Sequence, residues 1–313
     1  MKKFILLALI IFALQNADAQ TGRQMAVTID DLPVVVKNSR LELRQRITKK
    51  LLKHIKGAKI PAIGFVNENK LYVDGKRSKP EVDLLRQWLD AGFELGNHTY
   101  SHLSLNRNPL EKYEEEILRG ETITKELLGA KNKPIRYFRH PFLQTGLDLK
   151  TKEGLAEFLS QHKYTVAPVS IDNADWIFAR AFDNAIEKKD EKLKKRIAAA
   201  YVPYLEAKTD YWERQSVKLF GREIRQILLL HANSINSEHF DDVARMFKKR
   251  GYKFITLEEA LKDEAYGLPD NFTRNAGISW LHRWALDRGR EFVLGEEPAV
   301  PDFVMKAAGV DSE

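Results

Sequence analysis

Short apolar runs alternate with amphipathic helical patterns along most of this chain, and that alternation restricts the fold more than any other feature. Runs that read as strands fall at residues 25–28, 61–66, 93–96, 137–139, 165–169, 227–230 and 253–256. Between the first two, Ile47, Leu51 and Ile55 recur every four residues within 39–56, and Gly57 is placed to end that helix. Pro80 opens a second helix carrying Leu84, Leu85, Trp88 and Leu89, with Gly92 closing it. Ser237 is the predicted cap of a later helix burying Phe240, Val243, Ala244 and Phe247, with Gly251 behind it. A parallel return needs a long crossover, so strands separated by helices predict a parallel sheet. Seven such strands fit an α/β fold, a (β/α) barrel slightly short of eight units. A doubly wound open sheet is the alternative.

The 313 residues are 43% apolar and 30% charged, enough for a sizeable core under an ordinary surface. There is no cysteine, which excludes disulfides, thiolate metal sites and thiol nucleophiles. Any transition-metal site must come from His, Asp and Glu. The net charge of +7 carries little information. The densest basic run, 188–196, also contains Asp190 and Glu191 and reads as a solvated helix face. No basic stripe interleaved with aromatics suggests nucleic acid.

Three segments stand outside the repeat. Lys2 and Lys3 precede an eleven-residue apolar run at 4–14, followed by Ala17-Asp18-Ala19. The run is too short for a bilayer, which needs about 20 residues, and the pattern predicts a signal peptide over 1–19 cleaved near Ala19. The expectation is an exported protein, periplasmic or secreted, with no membrane span. Residues 177–225 form a charged, helix-forming insertion before the sixth strand. Residues 263–313 form a C-terminal extension whose Trp280 and Trp284, four apart, predict a helix packed on the barrel.

In parallel α/β folds ligands gather at the carboxyl ends of the strands. The first strand runs into Asp30-Asp31, two adjacent carboxylates that a nearby cation would reconcile. Taken alone, the pair also fits a helix cap with a surface neighbour. The third strand ends in His98-Thr99-Tyr100-Ser101-His102. Histidines at i and i+4 share one face of a helix, a spacing that lets two imidazoles grip one metal. Asp, His and His make three ligands and leave an open position, a catalytic rather than a structural pattern. Arg139 follows the fourth strand, where its guanidinium can hold a carboxylate in a two-pronged pair. Asp172, Asn173, Asp175 and Trp176 follow the fifth. His231 comes directly off the apolar sixth.

Taken in order, Thr28-Ile29-Asp30-Asp31, His98-Thr99-x-x-His102, Arg139-x-Pro141-Phe142, Asp175-Trp176 and Leu229-x-His231 resemble the five motifs of the polysaccharide deacetylase family. This is the NodB-homology group, carbohydrate esterase family 4. The resemblance spans roughly residues 25–261 and implies a distorted, NodB-like (β/α) barrel as a catalytic domain over 20–262. It implies Asp31, His98 and His102 as ligands of one divalent ion, with Zn2+ the first choice and Co2+ or Fe2+ also accommodated. Asp30 would be the general base toward water, His231 the general acid toward the departing amine, and a backbone N–H near Phe142 would share the oxyanion. Arg139 would orient Asp30, and Asp175 would hold His231 charged. Leu229 and Trp176 would wall the acetyl pocket, with Phe142 beside them. The implied substrate is an acetylated carbohydrate, a glycan or wall fragment, N-acetylated or less readily O-acetylated.

Two departures reshape the sugar-facing surface. Leu32-Pro33 follows the aspartate pair where the family usually has glycine, and Phe142-Leu143 replaces aromatic-glycine. Proline there sends the first loop along a different path. The insertion and the extension are placed to roof the mouth, which favours a small or unusual substrate. Two other readings stay open: a same-fold hydrolase for another amide or C–N bond, and a non-catalytic carbohydrate-binding protein. The second predicts loss of at least one of Asp30, Asp31, His98, His102 and His231, and all five are present.

Overall fold

A computed structural model describes residues 22–37, 40–290 and 296–313. The signal peptide expected at 1–19 lies outside the described residues. The first half of the chain comprises β1 (Arg23–Leu32), α1 (Leu41–Gly57), β2 (Ile63–Val66), a small hairpin β3 (Tyr72–Val73) and β4 (Lys76–Arg77), α2 (Lys79–Asp90) and β5 (Glu94–Asn97). Next come α3 (Leu110–Arg119), α4 (Thr122–Gly129), β6 (Tyr137–Phe138), α5 (Leu149–Gln161) and β7 (Thr165–Val166). The remainder holds α6 (Asp175–Glu187), α7 (Glu191–Phe220), β8 (Gln226–His231), α8 (Ser234–Lys249), β9 (Tyr252–Phe254), α9 (Leu257–Ala260), α10 (Trp280–Asp287) and α11 (Asp302–Ala308).

All seven expected strands form and pair in parallel; six follow the order β7-β6-β5-β2-β1-β8, and β9 pairs with β1 off that path. β1 is the central strand. β8 takes one of its edges from Met25 to Asp30, so β9 beside Arg23–Met25 and β2 beside Thr28–Leu32 must share the other. The chain beyond β7 reaches round to β8 through a single parallel bridge, Ile171 to Leu228. The sheet therefore curls into a distorted barrel of the expected kind, closed at one point by that bridge. The hairpin of β3 and β4 lacks a clear apolar signature, because Val73 is half-exposed and Lys76 and Arg77 face solvent.

Alternate residues of β1 part to opposite faces, as the pleat requires. Met25, Val27 and Ile29 join the large cluster between strands and helices. Ala26 belongs to a smaller cluster with Ile63, Phe65, Tyr137, Ala167 and Ile227 that fills the barrel. Thr28 and Asp30 continue that inner face upward, and they are buried and polar. The barrel is thus apolar below and chemically equipped above.

Helix α8 begins one turn earlier than Ser237. Asn233 is its cap, accepting from Asn236 N at 2.9 Å, while the Ser237 hydroxyl donates to the Ser234 carbonyl. Residues 175–220 form α6 and the 30-residue α7. Trp280 and Trp284 lie on α10 and are both buried.

Gly96 packs where a side chain would collide. A Cβ there would stand 2.5 Å from the Phe65 ring and 2.9 Å from the Tyr137 carbonyl oxygen. Gly96→Ala should therefore lose about 1–3 kcal/mol of stability, the usual cost of overpacking a close-packed interior. A urea melt checks this: the midpoint should fall with the slope unchanged, and an unmoved midpoint would contradict the packing described.

Candidate active site

The polar groups at the carboxyl ends of β1, β5, β6 and β8 converge. Asp30 and Asp31 are neighbours in sequence but face different partners, because Asp31 takes a left-handed backbone, φ 67°. The Asp31 carboxylate lies 3.9 Å from His98 Nε2 and 3.8 Å from His102 Nε2. One ligand atom from each of Asp31, His98 and His102 falls within 4.8 Å of the others. Asp30 turns toward Arg139, with its carboxylate 3.2 and 3.4 Å from Nη1. Its other approach is to His98 Nε2, at 3.8 Å.

The two histidines are not on a helix, contrary to the expectation from their spacing. Residues 98–104 are a loop, and Thr99 and His102 have φ 64° and 58°. The loop is held by many small ties. Thr99 N donates to Asn97 Oδ1 at 2.7 Å, and Asn67 Nδ2 donates to the His98 carbonyl at 2.7 Å. Glu116 receives Ser101 N at its carboxylate and Tyr100 N at its carbonyl. Asparagine side chains replace the hydrogen bonds a helix would have made. The pair still converges, with ring centres 4.8 Å apart.

Tautomers follow from geometry. His98 Nδ1 lies 2.8 Å from the Arg139 carbonyl oxygen, which can only accept, so Nδ1 carries the proton and Nε2 offers a lone pair. Burial keeps both His98 and His102 below the ordinary histidine pKa, hence neutral. Burial pulls Asp31 upward, but Lys70 and the histidines outweigh it and hold the carboxyl well below the usual range. One carboxylate and two neutral imidazole nitrogens are the donor set a divalent ion takes, and these residues fit one.

Asp30 behaves differently. Burial raises it to about 6, against the opposing pull of Arg139. Arg139 is completely buried and spends its remaining donors on Thr28 Oγ1 at 2.9 Å and the Ala167 carbonyl at 2.7 Å. His231 stands beside Asp30 in register on β8. Its Nδ1 meets Asp175 Oδ1 at 2.6 Å, and its backbone N–H meets Asp175 Oδ2 at 2.9 Å. Burial opposes charge on His231, but Asp175 prevails and lifts its pKa to about 9.

A cavity of about 520 Å3 opens over these groups, with Phe142, Leu143, Trp176 and Leu229 in its wall. Phe142 and Trp176 are partly exposed; Leu229 is buried. The Phe142 ring stacks edge-on against His102, 4.3 Å between centres. Leu143 N and Gln144 N are spent on the His140 and Pro141 carbonyls, whereas no hydrogen bond among the described residues uses the Phe142 N–H. Each predicted site residue lines this cavity or, like Arg139 and Asp175, hydrogen-bonds a residue that does. A second chamber of about 440 Å3 adjoins it, lined by Lys208, Trp212, His282 and Glu297, and shares Asp172, Trp176 and Glu313 with it.

Sequence reasoning missed several supports. Lys70 donates to the Asp31 carbonyl at 2.9 Å and lies 3.6 Å from its carboxylate. Asn233 and Asn236 donate to Asp175 Oδ2 at 3.1 and 2.6 Å. The cap of α8 was the available signal for the asparagines. Lys70 had none, because it lies on a short 3-10 turn between β2 and β3.

A family model described as polysaccharide deacetylase matches residues 17–164. That stretch, slightly under half of the chain, is similar to the polysaccharide deacetylase family. Asp175, Trp176, Leu229 and His231 lie beyond the matched stretch and rest on the geometry above. A peptidoglycan-N-acetylglucosamine deacetylase of Bacillus cereus is 24% identical over 153 residues, 49% of this chain. That match covers 46% of the relative, so less than half its length is represented here. A family 4 carbohydrate esterase of Bacillus subtilis has the same fold, with TM-score 0.50 and 18% identity over 77% of this chain and 81% of that one. A family 4 pseudoenzyme of Bacillus anthracis is similar at TM-score 0.49 and 16% identity, covering 77% and 66%.

The loop at 98–102 rests on Gly120, where an added Cβ would stand 2.5 Å from the Thr99 carbonyl carbon and 2.6 Å from Tyr100 N. Gly120→Ala should displace both histidines and weaken divalent-ion binding by about tenfold or more, as loss of an outer support does. Calorimetric titration with Zn2+ checks this; wild-type affinity would show that the loop does not depend on the close approach.

Proposed function

We propose that this protein is an exported, metal-dependent hydrolase that removes acetyl groups from an N-acetylated carbohydrate. The observation that carries the reading is the division of labour between adjacent carboxylates. Asp31 faces two neutral histidines, while Asp30 faces Arg139 beside the His231–Asp175 pair. An acetylated glycan or wall fragment is the substrate class, supported by the name of the Bacillus cereus relative. Export rests on the leader pattern at 1–19.

Asp31, His98 and His102 would hold the ion, which when bound supplies Lewis acidity toward a carbonyl and an acidified water. Asp30 takes the proton of the attacking water; its pKa near 6 suits a base working close to neutrality. Arg139 keeps that carboxylate turned to the cavity. As the amide carbon becomes tetrahedral, the unspent Phe142 N–H is placed to donate to the developing oxyanion. His231 is protonated below about pH 9, and with Nδ1–H given to Asp175 its Nε2–H faces the leaving nitrogen. Proton transfer there lets the C–N bond break, releasing acetate and an amine. Leu229 and Trp176 form the wall for the acetyl methyl.

Two measurements test this. Incubation with N-acetylated sugar oligomers and wall fragments should release acetate, and Asp30→Asn should lower the turnover by about 100-fold or more without changing the fold. No acetate from any of these substrates would sink the reading. Activity should also fall as pH rises through about 9, because His231 loses its proton there. Asp175→Asn removes the charge that lifts His231, so the alkaline limb should move down toward the ordinary histidine value of about 6.5. An unmoved limb in that variant's pH–rate profile would remove His231 as the acid.

A further inference from the structure

The loop that presents Phe142 is held in an unusual conformation. Phe142 and Leu143 are consecutive left-handed residues, φ 54° and 52°, and neither is glycine. Side chains disfavour that region, so such a pair persists only where its surroundings over-determine it. Here the surroundings come from far along the chain. Gly277 lies so close to the Phe142 carbonyl that any Cβ would fall 1.6 Å from its oxygen. Arg283, wholly buried, donates from Nη2 to the Leu143 carbonyl. Both strained carbonyls are thus covered by one segment.

That segment is itself anchored. Arg283 Nη1 reaches Thr145 Oγ1 and Asp270 Oδ2, each at 2.8 Å, and Nε donates to the Ile278 carbonyl at 3.0 Å. Lys152 from α5 adds a second cation 2.9 Å from Asp270. Trp280 N donates to the Val169 carbonyl at 2.9 Å, and the Ser279 hydroxyl to Ser170 O at 2.8 Å, tying the start of α10 to the chain beyond β7. The guanidinium also lies over the Trp280 ring, 4.1 Å from its centre.

We infer that the segment 270–283 is a clamp for the active-site loop, with Arg283 the positioning residue that fixes Phe142–Leu143 and so aims the free Phe142 N–H into the cavity. The role as an oxyanion donor rests on the deacetylase reading; the clamp does not. A glycine at 143 would adopt φ 52° without steric penalty and would free the loop from Arg283. With leucine there, the clamp does what a glycine would do through its own backbone.

Arg283→Lys keeps the charge but loses the planar fork that serves Leu143, Thr145 and Asp270 together. Hydrogen exchange of residues 139–145, read by mass spectrometry on the full chain, should quicken by about tenfold in this variant. On an N-acetylated oligosaccharide that the wild type cleaves, kcat should fall by about tenfold while KM changes less than about threefold. Adding Leu143→Gly to Arg283→Lys should restore kcat to within about threefold; adding Leu143→Ala, which removes the same side chain but keeps Cβ, should not. Unchanged exchange in Arg283→Lys overturns the clamp whatever the activity. Equal recovery by glycine and alanine, or wild-type kcat in Arg283→Lys, also overturns it. Should Arg283→Lys fail to fold, the same comparison holds in the native background, where Leu143→Ala outperforming Leu143→Gly in kcat would overturn the inference. A wild type that releases no acetate defeats the functional reading instead, and leaves the exchange result to decide the clamp.

Discussion

The buried guanidinium of Arg139 is the contact on which the site depends. It comes from the end of β6, and its donors reach Asp30 and Thr28 on β1 and the Ala167 carbonyl beyond β7. Its own backbone N–H donates to the Asn97 carbonyl on β5, and its carbonyl fixes the tautomer of His98. A cation with no exposure must be paired and fully hydrogen-bonded to be tolerated. Arg139 meets that demand by drawing three strand ends to one point, and its plane also lies over Phe65 in the barrel, 4.9 Å from the ring centre. Removing one partner of such a pair typically costs about 3–5 kcal/mol, because the other charge stays buried. Stability and function therefore share this residue.

The same burial that makes Arg139 costly separates the carboxylates. Asp30 and Asp31 differ by one residue, yet burial raises Asp30 to about 6 while Lys70 and the histidines hold Asp31 down. The left-handed turn at Asp31 brings this about by sending consecutive side chains to different partners. On the other side of Asp30, the Asp175 carboxylate raises His231 to about 9 and is itself fed by Asn233 and Asn236. A carboxyl that is ionised near neutrality and an imidazole that stays protonated there stand beside each other on adjacent strands. Each is set by its neighbours rather than by its own chemistry.

The barrel was legible because a parallel strand buried on both faces must be a continuous apolar run, as Ile227, Leu228, Leu229 and Leu230 are. The polar residues at strand ends were legible because ligands gather at the carboxyl ends of parallel strands, and several of those ends carry Asp or His together. The helix expected at 98–102 failed because spacing alone cannot see Asn97 and Asn67 capping the loop from outside it. Lys70 and Arg283 were invisible because their partners lie 39 and 140 residues away. Convergence of that kind is a property of the folded chain, and no local pattern encodes it.

The central claim is that adjacent aspartates do different work, one holding an ion and the other moving a proton. Titration of Zn2+ into the wild type, Asp30→Asn and Asp31→Asn tests it directly, without reliance on any substrate. Asp31→Asn should lose more than about 100-fold in affinity, beyond what loss of an outer partner produces, while Asp30→Asn binds within a few-fold of the wild type. Equal losses in the two variants, or the reverse order, would contradict the account.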